Sequence, residues 1–394
     1  MVGRLCRPWA PCWTATGTAA DQEDEQMQQR VVVIGGGYGG VALAKELDDH
    51  AEVVLVEPKD AFVHAVAALR VVVDPTWHER AFFPYDRVLE HGRVVQDWAR
   101  LVSPGLVQLS ASQSLEADHI VLATGTGYPF PAKFLEDQAF VATARLARLR
   151  AALAICERVL LVGAGPVGIE LAGELTSAFP GLGVTLVDRE PDILTQGDYL
   201  PELRDLVRGQ LVDRGVVLEL GAGLGYLPPV DVGVHEPFTV ETAAGTTIEA
   251  QMWFRCYGAR PMTGYLDATL SAGMHDDGSI PVTAHLNVVG QDRVWAIGDI
   301  TDVRESKRAT AARDHAGVVA QNIRDVIEGR EPSATYAAAR ERIVLPIGPD
   351  GGASQIEQED GSRIVLGPEE TSRMKGVDLF SGSMAELFGR PGVR

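Results

Sequence analysis

The chain has few cysteines, no long apolar run and a deficit of positive charge, and each shortage excludes a class of protein. Its four cysteines, Cys6, Cys12, Cys156 and Cys256, form no C-x-x-C pair and no regular spacing. A disulfide scaffold and a structural zinc site are therefore excluded, no metal site is expected, and a reducing, cytoplasmic setting fits best. No stretch approaches the roughly 18 consecutive apolar residues that a membrane-crossing helix needs. Lys and Arg number 35 against 54 Asp and Glu, a net charge of −19. That field repels phosphate backbones, which excludes nucleic acid as the main partner. Apolar residues at 46% and charged residues at 23% fit a folded globular protein. At roughly 100–200 residues per domain, the 394 residues suffice for two or three domains.

What the chain has in excess is glycine: 42 residues, about 11% against a usual value near 7%. The first 29 residues do not explain it. Arg4 and Arg7 resemble the start of a secretory signal, but Pro8, Pro11, Thr14 and Thr16 interrupt the apolar region that should follow. With the acidic run that succeeds them, residues 1–29 read as a disordered extension, and Met27 is the expected natural start. From Arg30 onward a β-branched run (31–34), a glycine cluster, a helical pattern (41–47) and a second strand (53–56) follow one another. The same series recurs at 159–162, 163–168, 167–175 and 184–187, a duplicated βαβ unit.

Both glycine clusters sit where a strand gives way to a helix, which makes a weak pattern a strong one. The first is Gly35-Gly36-Gly37-Tyr38-Gly39-Gly40; the second is Gly163-Ala164-Gly165-Pro166-Val167-Gly168. In each, the first glycine permits the tight turn, the second lets a pyrophosphate approach the backbone, and the last lets helix and strand pack closely. An acid follows each cluster at the end of the next strand, Glu57 and Asp188, where a carboxylate accepts hydrogen bonds from ribose hydroxyls. Asp188 favours NADH over NADPH; the neighbouring Arg189 offsets that preference and keeps NADPH open as a donor. Two nucleotide sites in this order imply FAD in the first and a nicotinamide donor in the second.

Three further segments fit that reading. His119 to Leu122 leads into Ala123-Thr124-Gly125, which resembles the crossing between the FAD and NAD domains of two-dinucleotide flavoproteins. Met252 to Cys256, ending at Tyr257-Gly258, resembles the return crossing. Val294 to Ile297 ends in Gly298-Asp299, where that superfamily's Asp holds FAD. The expected fold is α/β: two Rossmann-like domains in a glutathione-reductase-like arrangement, with a small C-terminal α+β domain. Residues 30–142 and 266–330 form the FAD-binding domain, 143–265 the NAD(P)H-binding domain, and 331–394 a domain at the acceptor side. A turn at Gly348-Pro349-Asp350-Gly351-Gly352 is expected to join two strands of the last.

Closer motifs narrow the family. Lys59-Asp60-Ala61-Phe62, Ala67-Ala68-Leu69-Arg70 and Pro129-Phe130-Pro131-Ala132-Lys133-Phe134 resemble the ferroptosis-suppressor branch of the apoptosis-inducing-factor-like flavoproteins. That resemblance runs from about Arg30 to the end and implies reduction of a quinone-like acceptor by NAD(P)H through non-covalent FAD. It implies FAD contacts at residues 35–39, Arg70, Val95 and Asp299, with Lys59 beside them. Animal members carry a lipid-accepting glycine after Met1; Val2 stands here, so that anchor is not carried over. Weak peripheral membrane contact through Met384-Ala385-Glu386-Leu387-Phe388 and a homodimer both stay open.

Lys307 and His315 are expected on the helix after Asp299, with a cation or proton donor near the flavin, and Glu170 near the nicotinamide. The absence of a C-x-x-x-x-C pair argues against a disulfide reductase. Two alternatives stand beside the quinone reductase. One is a flavin reductase feeding a ferredoxin-type protein or acting on a small aromatic substrate. The other is a non-enzymatic NADH-sensing module.

Overall fold

The computed structural model describes residues 28–391; Cys6, Cys12, Met27 and the proposed N-terminal extension up to it lie outside them. In chain order the framing elements are β1 (Arg30–Ile34), α1 (Tyr38–Leu47), β2 (Glu52–Val56), α2 (Ala65–Val73), β3 (Arg93–Val95), β4 (His119–Leu122), β5 (Arg158–Val162), α3 (Pro166–Ala178), β6 (Gly183–Asp188), β7 (Val217–Leu220), β8 (Met252–Arg255), β9 (Val294–Ala296), α4 (Ala309–Ile327), β10 (Ile343–Ile347), β11 (Gly351–Glu357), β12 (Arg363–Leu366) and α5 (Ser381–Leu387).

The first parallel sheet runs in the order β9-β4-β1-β2-β3, and the second in the order β7-β6-β5-β8. Their central strands are unbroken runs of Val, Leu and Ile because both faces are covered; an alternating pattern would leave polar residues inside. Val31, Val32 and Val33 have no exposed surface, and β1 pairs in register with β2 from Arg30↔Glu52 to Ile34↔Val56. The strand orders place each glycine turn at the end of its sheet's central strand, where open α/β sheets bind ligands.

Both helices start earlier than the apolar periodicity alone indicates: α1 opens at Tyr38 and α3 at Pro166, directly after the middle glycine of each turn. Neither Gly37 nor Gly165 provides a side-chain cap, so the first-turn N–H groups stay free for an anion. The units are joined by paired crossings, Thr126–Gly127 antiparallel to Arg260–Pro261.

The C-terminal part is a three-stranded antiparallel sheet, β10-β11-β12, with the expected turn between β10 and β11. It packs on α3 so closely that a Cβ on Gly173 would lie 2.5 Å from the Gly348 nitrogen. The chain then returns to the first unit. Phe388, just after α5, sits 4.9 Å from Phe62, 5.5 Å from Phe83 and 6.0 Å from Tyr85. Met384, Ala385 and Phe388 are buried. Those three side chains are therefore core, not membrane-facing surface. Among the described residues, no helix is long and apolar enough to cross a membrane.

The candidate redox cleft

Both glycine turns open onto one continuous cleft of about 2210 Å³, larger than the roughly 300–1,000 Å³ of a single small-molecule pocket. Its wall includes Gly35, Gly37, Gly163 and Gly165 together with Thr124, Gly125, Gly258 and Gly298. The outermost glycines, Gly40 and Gly168, are absent from the wall because they serve packing: a Cβ on either would overlap the carbonyl oxygen of the first glycine of its turn. Gly35 has φ +103° and Gly163 φ +116°, the region that excludes other residues. A Cβ on Gly37 or Gly165 meets nothing within 4 Å, so these glycines leave space for a ligand against the bare backbone.

The two acids do more than face riboses. Glu57 Oε2 accepts the Gly36 N–H at 2.7 Å and its Oε1 accepts the Lys59 N–H at 3.0 Å. Asp188 Oδ2 accepts the Ala164 N–H at 2.6 Å and its Oδ1 the Glu190 N–H at 3.0 Å. Each carboxylate thus fixes its turn, and its remaining lone pairs are free for hydroxyl donors. Arg189 lines the cleft beside Asp188, its side chain 82% exposed and turned to Glu190 at 3.2 Å.

Beyond the C-terminal end of β9, Gly298 and Asp299 also line the cleft. Asp299 Oδ2 accepts from the Thr126 hydroxyl at 2.8 Å, and the Lys133 ammonium lies 3.7 Å away. Lys133 donates to the Thr126 carbonyl at 2.6 Å and hydroxyl at 2.8 Å. Burial pulls the Lys133 pKa down, and Asp299 opposes that shift. Opposite stands a second ion pair, Glu170 with Lys375 at 2.8 Å, which also donates to the Val344 carbonyl at 3.2 Å.

Four sequence expectations need revision. Lys307 precedes α4 instead of lying on it; its ammonium donates to the carbonyls of Thr301 at 2.8 Å and Val303 at 3.2 Å, while it still lines the cleft. His315 has no exposed surface: its Nδ1 accepts the Gly298 N–H at 3.0 Å and its Nε2 lies 3.0 Å from Glu305. It braces the Gly298 turn and does not line the cleft. Arg70 is spent between units, 2.5 Å from Glu174 of α3 and 3.1 Å from the Gly376 carbonyl. Val95 lies behind the wall, its carbonyl accepting the N–H groups of Glu57 and Asp97; the cleft continues with Asp97 and Trp98.

Thr126, Lys133 and Lys375 carry polar contacts that sequence reasoning did not assign. Lys133 stood inside the Pro129 to Phe134 motif, a usable signal. Lys375 had none, because it reaches Glu170 from 205 residues away.

The residues present fit the expected dinucleotides. Two bare-backbone cradles, uncapped helix N-termini and an acid behind each turn supply what a pyrophosphate and a ribose require. Gly35 to Gly39, Glu57 and Asp299 are the residues that would hold FAD, and Gly163, Gly165 and Asp188 those that would hold NAD(P)H.

The pyridine nucleotide-disulphide oxidoreductase family matches residues 29–316. Ferroptosis suppressor protein 1 of Taeniopygia guttata is 32% identical over 372 residues, covering 92% of this chain and 96% of that protein. Apoptosis-inducing factor homolog B of Dictyostelium discoideum is 28% identical over 384 residues, covering 92% and 98%. Among solved structures, the ferredoxin reductase for the CYP199A2 system from Rhodopseudomonas palustris shares the fold with a TM-score of 0.66 at 17% identity, covering 84% of this chain and 82% of that one. The chain belongs to the pyridine nucleotide-disulphide oxidoreductase family, the flavoprotein NAD(P)H oxidoreductases, and aligns along most of its length with ferroptosis-suppressor and apoptosis-inducing-factor relatives.

Proposed function

We propose that the chain passes electrons from NADH, through FAD, to a quinone-like acceptor. The observation that carries this reading is the composition of the cleft wall beyond the two glycine turns. The C-terminal part lines it with Ile343, Val344, Ile356, Met374 and Phe380, edged by Glu341, Arg342, Lys375 and Ser383, an apolar patch with a polar rim suited to a flat ring that carries polar oxygens. Dithiol chemistry lacks support: Cys156 is half-buried with Sγ 3.3 Å from the Arg158 carbonyl, and burial pushes the Cys256 thiol up to about 12.

When bound, FAD supplies the two-electron chemistry between donor and acceptor. The protein's part is to bind, orient and compensate charge. Asp188 holds the second turn open toward a ribose and disfavours a 2′-phosphate, which supports NADH as the donor. Lys133 and Thr126 fix the Asp299 carboxylate from one side. Glu170 and Lys375 present a paired anion and cation at the junction of donor and acceptor walls, where a proton can be held at the ammonium.

The test is anaerobic: NADH should bleach the yellow protein, and a soluble quinone should restore its colour. Bleaching without quinone reoxidation would favour a protein acceptor such as a ferredoxin. A protein that NADH does not bleach would be a binding module, and the proposal would fail.

A further inference from the structure

A buried hydrogen-bond chain leads from the first glycine turn to the acceptor wall, and its centre is His64. The residue is 1% exposed at the start of α2. Its Nε2 lies 2.7 Å from the Leu379 carbonyl and its Nδ1 2.8 Å from the Tyr38 hydroxyl. A carbonyl only accepts, so Nε2 carries the proton; neutral imidazole then leaves Nδ1 as an acceptor, and Tyr38 donates to it. The Tyr38 oxygen in turn accepts the Val66 N–H at 3.2 Å. Every polar atom in the chain is matched, and only one proton arrangement satisfies all of them.

The two ends of this chain are the informative part. Tyr38 is the first residue of α1, next to Gly37, where the first cofactor's phosphates belong. Leu379 and Phe380 are consecutive left-handed residues, φ +51° and +62°, a conformation that side-chain-bearing residues rarely hold without outside support. Phe380 lines the cleft and is 43% exposed. His64 thus clamps the left-handed pair that presents Phe380, and does so from the residue beside the flavin-side turn.

We infer that His64 is a positioning residue coupling the FAD-binding turn to the Phe380 wall of the acceptor site. The acceptor half of this statement rests on the proposed quinone reaction; the turn-to-segment coupling does not. Burial lowers the His64 pKa to about 4, with Arg313 and Lys375 adding to the shift and the Leu379 carbonyl and Asp378 opposing it, so the single-proton arrangement persists at neutral pH.

The experiment compares wild type with His64→Gln, His64→Phe, Tyr38→Phe and the double variant His64→Phe/Tyr38→Phe. Gln can donate through its amide nitrogen and accept through its oxygen, so it restores both ends; Phe restores neither. FAD titration of apoprotein should show about tenfold weaker binding for His64→Phe, and His64→Gln within about threefold of wild type. Trypsin and chymotrypsin should cut near Leu379 faster in His64→Phe. Tyr38→Phe should weaken FAD binding in the wild-type background and change little in the His64→Phe background. If His64→Phe does not fold, His64→Gln and Tyr38→Phe still read the coupling. His64→Gln behaving as badly as His64→Phe, or fully additive losses in the cycle, would overturn the inference.

In steady state, the KM for a soluble quinone should rise in His64→Phe while the KM for NADH holds. Equal rises in both would reduce His64 to a general structural part. Should wild type not reduce quinone at all, the proposed reaction fails, while the FAD and proteolysis readouts still decide the coupling.

Discussion

The two dinucleotide turns are near copies that differ on one side. In each, the first glycine's Cβ would strike a crossing-segment carbonyl, Ala123 at 2.6 Å or Cys256 at 2.8 Å, and an acid holds the second residue's N–H. The turns differ at residues two, four and five, where Gly36, Tyr38 and Gly39 stand against Ala164, Pro166 and Val167, and the second and fifth decide the packing. The first turn has Gly36, whose Cβ would meet the buried Tyr85 hydroxyl at 2.6 Å, and Gly39, whose Cβ would lie 2.9 Å from the Ala312 carbonyl of α4. The second turn has Ala164 and Val167 at the same places. So the first turn is built shut against Tyr85 and α4, and the second is not. A closed cradle suits a cofactor that stays, and an open one suits a donor that comes and goes.

The largest expected effect concerns the joint between the units. Arg70 of α2 and Glu174 of α3 form an ion pair 7% and 5% exposed. Burial pushes Glu174 up and Arg70 opposes it. Such a pair adds little net stability over apolar residues, but removing one partner strands a buried charge at about 3–5 kcal/mol. Arg70→Met should therefore lower the urea midpoint sharply, and adding Glu174→Leu should recover most of the loss. If the single variant costs under about 1 kcal/mol, the units are not joined here.

Next comes the asymmetry itself. Gly39→Val places the second turn's residue in the first and must push α1 from α4, costing about 1–3 kcal/mol together with FAD affinity. Val167→Gly makes the reverse exchange and costs only about 1 kcal/mol of helix propensity. Equal losses in denaturant titration and FAD retention would erase the distinction between closed and open cradles.

Acid should sharpen it. Burial lowers the pKa of His64 and of His119 to about 4, Arg293 adding to the shift at His119. Between pH 6.5 and 4 the unfolded chain binds these protons and the folded chain does not, so stability falls as pH falls through that window. Each contributes about 1–3 kcal/mol there. Both belong to the first unit, and among the described residues the second unit contains no buried histidine. Hydrogen exchange at pH 5 should therefore rise in β1 and β4 before β5 and β6; uniform acceleration would contradict this.

The matched acids test the other half. Asp188→Ser should raise the NADPH-to-NADH ratio of kcat/KM about tenfold, because an acid at this place disfavours the 2′-phosphate. Glu57→Gln should leave that ratio unchanged and weaken FAD binding instead, since a charge-assisted bond to Gly36 is lost. Donor kinetics and FAD titration separate the two.

How much of this was legible follows from the range of the signals. Strand, turn, helix and acid lie within about 30 residues of one another in each unit, so local pattern carried both cradles, their sheets and the Gly298–Asp299 turn. The contacts between distant segments were not legible. Lys375 meets Glu170, Arg70 meets Glu174 and His64 meets Leu379 across 104 to 315 residues, and no spacing encodes such meetings. His315 was misassigned for the same reason: its place after Asp299 was right, but burial turned it toward Gly298 and Glu305.

The smallest expected effect is at Lys307, and it asks whether the closed cradle needs a cation of its own. The ammonium is already committed to two carbonyls of its loop, and burial lowers its pKa, with Asp299, Glu305, Asp302 and Asp277 opposing. A lysine that staples a loop should lose little when removed, about 1 kcal/mol or less, whereas one stabilising charge in the cleft should slow turnover with FAD still bound. Lys307→Ala with unchanged FAD content and several-fold slower reduction by NADH or reoxidation by quinone would assign it the second role. Wild-type rates would confine Lys307 to stapling its loop and move the question to the paired cations that also face the cleft, Lys133 beside Asp299 and Lys375 beside Glu170.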